Sequence, residues 1–132
     1  MASFRTRRPA IPRAPSRCSE EINHIQQGKN YGWPCYEGEY VQDKYTLFQH
    51  PTCAWLADGH HTVPLYAYKH PENAAGDVMS ISALAGWNGR IYYGDYTEDV
   101  IYSLNMDGSD KQPVMRGCYP VGLYATPVGL IY

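Results

Sequence analysis

The chain has 132 residues, enough for one modest domain with a buried core. Its formal net charge of −2 hides an asymmetry. Arg5, Arg7, Arg8, Arg13 and Arg17 all precede the first acid, Glu20, so from Cys18 onward six cations face thirteen acids, a net −7. That acidic balance argues against a nucleic-acid surface, and the sequence holds no apolar run of the roughly eighteen residues that a membrane-crossing helix needs.

Residues 1–18 lack the apolar stretch of a secretory signal. They are Arg-rich and free of acids, as a mitochondrial-type targeting segment is, but Pro9, Pro12 and Pro15 break the amphipathic helix such a segment uses. They read as a disordered or artefactual basic leader. Residues 19–132 read as the folded part. Thirteen Tyr, three Trp and one of the two Phe stand there among many of the chain's twelve Gly and ten Pro, a balance that predicts short strands and many turns, an all-β class.

From Ser19 to Gln27, Ile22 and Ile25 are too few to choose between a helical turn and a strand. Gly28 and Gly32 bracket a tight aromatic loop, Asn30 to Pro34. Residues 36–62 show no sustained period and read as a long loop, of the kind that is functional or covalently pinned. Val63 to Tyr68 and Met79 to Leu84 are strand candidates. Arg90 to Gly94 and Val100 to Leu104, split by the turn-like Asp95 to Asp99, predict a hairpin. Asp107-Gly108 turns that hairpin into a third strand, Gln112 to Arg116. Successive short-turn strands make a meander, the blade unit of a β-propeller. The echo of Pro120-Val121-Gly122-Leu123 in Pro127-Val128-Gly129-Leu130 is too short for a structural repeat and reads as coincidence. The apolar ending Leu130-Ile131-Tyr132 reads as a strand interrupted within a blade.

The run from Glu20 to Pro34, EEINHIQQGKNYGWP, closely resembles the segment that marks the glucose/sorbosone dehydrogenase family, which includes soluble quinoprotein sugar dehydrogenases. A looser likeness continues through Pro64 to Tyr68, Trp87 to Leu104 and Pro127 to Tyr132. The resemblance implies a six-bladed propeller with a cofactor site on its axis, of which residues 19–132 would form about two four-stranded blades. In calcium-binding members the acid and the tyrosine of this segment supply ligands, so Glu21 and Tyr31 become candidate Ca²⁺ ligands. A carboxylate with loop carbonyls is suitable chemistry for Ca²⁺, although two ligands are not a site and Glu21 equally reads as a solvated acid.

Members that bind pyrroloquinoline quinone neutralise its three carboxylates with Lys and a closely spaced Arg pair. Here Tyr119 and Val121 stand where those arginines would be. Lys69 is the candidate cofactor lysine, beside a variant in which His70 is retained and a plainer reading as a surface Lys-His pair. The family's catalytic histidine belongs to an earlier blade, so no catalytic residue is assigned. His24, His50, His60, His61 and His70 lie in no nucleophile or metal spacing and read as loop histidines.

Cys18, Cys35, Cys53 and Cys118 have no C-x-x-C spacing. Some secreted relatives place a disulfide where Cys35 and Cys53 flank the long loop, which implies that bridge here and an oxidising, secretory compartment for the parent protein. Of the aromatic set Tyr31, Trp33, Trp55, Tyr66, Tyr68, Trp87 and Tyr96, some residues suit sugar stacking, but most are expected in the core.

Three expectations follow. The chain is a piece of a protein whose relatives oxidise a sugar with pyrroloquinoline quinone and Ca²⁺, and is itself inactive. Alternatively it belongs to a non-catalytic secreted propeller that binds a glycan or a protein, as hedgehog-interacting-type relatives do. The third is a truncated product with exposed strand edges and no stable fold.

Overall fold

The computed structural model describes residues 19–42, 51–69 and 80–132. The basic leader, Cys18, His50 and His70 lie outside the described residues.

The centre of the protein is a four-stranded antiparallel meander in sequence order: β5 (Ile81–Trp87), β6 (Arg90–Asp95), β7 (Val100–Asn105) and β8 (Gln112–Arg116). Two-residue periodicity builds it. In β7, Val100, Tyr102 and Leu104 point to one face while Ile101 and Ser103 point to the other, and all five are buried. A strand buried on both faces requires a layer on each side.

The first layer is the antiparallel pair of β1 (Ser19–Ile22) and β4 (Tyr66–Lys69), in the register Ser19 to Lys69 and Ile22 to Tyr66. Ile22 joins Ile91, Tyr93, Val100, Tyr102 and Leu104 in one core, with Leu65, Tyr66, Tyr68 and Ile81 packed around it. Directly opposed in the register, Tyr93 and Tyr102 stack with ring centroids 5.3 Å apart. The second layer is the link 117–123 with the hairpin β9 (Tyr124–Thr126) and β10 (Gly129–Ile131). Leu123 packs on Ala83 and Ile101, and Trp87 Nε1 donates to the Thr126 carbonyl at 3.0 Å. Gly94 permits this approach, because a Cβ there would lie 2.6 Å from that of Pro120.

The all-β expectation holds, with differences of detail. The described residues contain one four-stranded sheet and three two-stranded ones rather than two four-stranded blades. The Ser19 segment is a strand because its backbone pairs with β4, a non-local partner that local pattern does not reveal. The strand expected over Val63–Tyr68 starts only at Tyr66, after Pro64. The 36–62 stretch is not a plain loop: β2 (Tyr36–Glu37) and β3 (Tyr40–Val41) form a small hairpin. A short helix α1 (Pro51–Trp55) then runs into a π-helical turn, Leu56–His60. The two PVGL copies have different settings: Pro120 and Leu123 are buried, whereas Pro127 is exposed and Leu130 half-buried. The closing strand β10 pairs with the preceding β9.

Candidate functional site

At one end of the meander the start of β5, the β6–β7 turn and the exit from β8 converge. Tyr96 N donates to the Ser80 carbonyl at 2.9 Å, and Gly117 N to the Asp99 carbonyl at 3.1 Å. Tyr119 N donates to Asp99 Oδ1 at 2.5 Å, which fixes the link over the turn and brings the Tyr119 ring 5.7 Å from that of Tyr96. Both rings are exposed. Beneath them, fully buried Asp95 accepts from Thr97 N at 3.0 Å, Glu98 N at 2.9 Å and the Tyr68 hydroxyl at 2.5 Å. An Asp at this position orders the turn by satisfying its free N–H groups.

Four tyrosines, Tyr66, Tyr68, Tyr93 and Tyr102, cluster on the covered face, and Lys111 Nζ lies 3.9 Å from the centroid of Tyr102 and 5.2 Å from that of Tyr68. Burial first, and then the hydrogen bond to Asp95, raise the Tyr68 phenol well above its ordinary value. Burial and the Tyr66 hydroxyl do the same for Tyr93. Tyr102 is pushed up to about 12 by burial and by its bond to Glu98. None of these phenols serves as a base at neutral pH. Burial, followed by Asp99, also raises the Cys118 thiol, which disfavours a nucleophilic role.

Lys69 ends β4 at this same end of the molecule, because Glu20, its near neighbour across the β1–β4 pair, accepts from Ile81 N at 2.8 Å. Its ammonium lies 4.5 Å from the Tyr40 ring centroid. Tyr119 and Val121, the residues at the expected arginine positions, are 63% and 75% exposed and carry no charge. This donor set does not fit a trianionic quinone, which needs several cations around its carboxylates.

The proposed calcium pair lies elsewhere. Glu21 Oε1 accepts from Asn23 Nδ2 at 2.7 Å and Oε2 from Gly38 N at 2.7 Å, so the carboxylate ties β1 to the β2–β3 turn. The Tyr31 hydroxyl donates to the His24 carbonyl at 2.5 Å and accepts from Gln26 N at 2.9 Å, closing the loop on itself. Tyr31 shares a cleft with Asp107 of the β7–β8 turn, at the end of the sheet opposite Lys69. Among the described residues no three His, Cys, Asp or Glu side chains gather as metal ligands. Two oxygens already engaged by N–H donors and one phenol closing its own loop do not fit a Ca²⁺ shell of six to eight oxygens.

Cys35 and Cys53 are joined, S–S 2.06 Å and Cα–Cα 5.3 Å, and with Leu56 they form a small core under the corner. Gly32 makes the corner possible: its φ is +101°, and a Cβ there would meet Tyr36 Cβ at 2.6 Å. Of the aromatic set, Tyr66, Tyr68 and Trp87 are partly buried as expected, whereas Trp33, Trp55 and Tyr96 are exposed. Sequence reasoning missed Asp99 and the pairing of Tyr119 with Tyr96. Both depend on left-handed backbone at Asp99 and Tyr119, φ 56° and 39°, for which only the acid in a turn gave a hint.

Comparison of the chain with family models, curated proteins and solved structures finds no match. Among the described residues no helix is long and apolar enough to cross a membrane.

Proposed function

We propose that the described residues are an arc of a β-propeller resembling the glucose/sorbosone dehydrogenase family, and that this chain holds sugar on its Tyr96–Tyr119 surface without oxidising it. Support for the arc comes from the meander, which carries an antiparallel layer on each face as one blade does between its neighbours. The single observation behind binding without oxidation is the pair Tyr119 and Val121, neutral and exposed where a quinone's arginine partners would stand. Flat exposed rings pack against pyranose faces, and the Asp99 carboxylate beside them accepts hydrogen bonds from hydroxyls. The disulfide agrees with an oxidising, extracellular setting.

The rival reading, a piece of a working quinoprotein that uses Ca²⁺, rests on the Glu20–Pro34 likeness with Glu21, Tyr31 and Lys69 in ligand roles. A dye-reduction assay with glucose, Ca²⁺ and pyrroloquinoline quinone separates the two. The expected result is no turnover above a boiled control, while tyrosine fluorescence reports glucose binding that Tyr119→Ala weakens about tenfold. Turnover, or glucose binding untouched by Tyr119→Ala, would refute the proposal.

A further inference from the structure

A second cleft lies at the disulfide-clipped corner, between the Gly28–Asn30 turn and the loop Trp55–Thr62. It has a volume of about 360 Å³ and is lined by Lys29, Asn30, Trp55, His60, His61 and Thr62 together with two glycines. Among the described residues no acidic side chain lines it, in a folded part whose acids outnumber its cations by seven. Among the described residues no carboxylate pairs with the Lys29 side chain.

The other groups are hydrogen-bond donors or flat rings. Asn30 Oδ1 accepts from Gly32 N at 2.8 Å, which orients the amide and leaves its NH₂ as the remaining donor. His61 stacks on Tyr36 with centroids 4.0 Å apart, and its Nδ1 is 3.2 Å from the Leu56 carbonyl. A carbonyl only accepts, so Nδ1 carries the hydrogen and the tautomer is set. His60 lies parallel to Trp55 at 4.7 Å, covering one face of an indole that is still 51% exposed. Thr62 N donates to the Asn30 carbonyl at 2.6 Å, and the Cys35–Cys53 bond joins the chain shortly after Asn30 to the chain shortly before Trp55, so the two walls are tied together before any ligand arrives.

We infer that this cleft binds a saccharide carrying one anionic substituent, a carboxylate or a sulfate. Lys29 and an N–H of His60 meet the anion, the open indole face of Trp55 takes the pyranose, and the Asn30 amide reaches a ring oxygen or hydroxyl. The volume suits a single sugar ring. The cation beside the ring favours an anionic sugar over a neutral one, because only the anion gives Lys29 a charge-assisted partner. The site does not depend on the Tyr96–Tyr119 surface, because Thr62 is shared with the cleft that reaches Asp107, at the opposite end of the meander.

The test is calorimetric titration of the full chain with glucuronate, glucose 6-sulfate, glucose, inorganic sulfate and adenosine monophosphate. One or both anionic sugars should bind about tenfold more tightly than glucose and sulfate, and whichever binds identifies the substituent. Lys29→Gln and Trp55→Ala should each weaken that binding about fivefold or more, while Lys29→Arg leaves it within about twofold. Unchanged near-ultraviolet circular dichroism shows that each variant is folded. Equal binding of glucose, tighter binding of the nucleotide, no binding of either anionic sugar, or wild-type affinity in folded Lys29→Gln overturns the inference.

Discussion

The meander from Ile81 to Arg116 and the corner from Asn23 to Thr62 are held by different forces. In the meander the backbone is paired strand to strand along three ladders, and side chains serve chiefly to fill the packed interfaces on its two faces. In the corner the strands are two residues long, so the backbone is satisfied by Asn30, Glu21 and the Tyr31 hydroxyl, and the ends are joined by a covalent bond. Regular pairing leaves little room for a ligand. A chain organised by side chains and a crosslink can keep donors and rings facing outward, and that is where the Lys29–Trp55 cleft lies.

This contrast can be broken from either side. The largest effect is expected from Tyr93→Ala, which removes a fully buried ring touching Tyr66, Tyr68 and Tyr102. A loss of about 3–5 kcal/mol in urea unfolding is expected, a large share of the roughly 5–15 kcal/mol that holds a typical domain folded. A loss below about 1 kcal/mol would mean that the meander does not carry the stability.

Cys53→Ser should cost less, about 3 kcal/mol by the chain-entropy argument for an eighteen-residue separation. Its location matters more than its size. Amide exchange should accelerate across residues 30–42 while the amides of Tyr93 and Tyr102 keep their protection, and uniform acceleration would show that the corner and meander unfold as one unit.

The smallest effect sharpens the comparison by pH. Tyr68, Tyr93 and Tyr102 have raised folded-state values, so the unfolded chain ionises first. The stability they lend is complete below pH of about 10 and is lost as pH rises through their folded values, of which that of Tyr102 is about 12. Phenolate absorbance should therefore show late ionisation of Tyr68, Tyr93 and Tyr102, released together with unfolding. Ionisation of all thirteen near the free value, with the fold intact, would refute the buried cluster.

Legibility in the sequence followed the same division. The hairpin from Arg90 to Leu104 and the strand Gln112–Arg116 were readable because alternation and an Asp-Gly turn encode them locally. Strand β1 was not, since four residues with two interior-facing side chains carry no period of their own and become a strand only against Tyr66–Lys69. The Cys35–Cys53 bridge came through likeness rather than spacing, and the small β2–β3 hairpin inside the supposed loop left no pattern to see. Tyr119 was noticed as a substitute for an arginine, but its partner Tyr96 lies twenty-three positions away and meets it only because Asp99 holds the crossing link.

Gly94 gives the last point. Where its hydrogen faces Pro120, the next hairpin settles against the meander at a separation that no larger residue allows. A methyl group at that point would push the 117–123 link off the sheet, and the strain would reach every residue that rides on the link, Leu123 in the core and the Trp87 to Thr126 bond behind it.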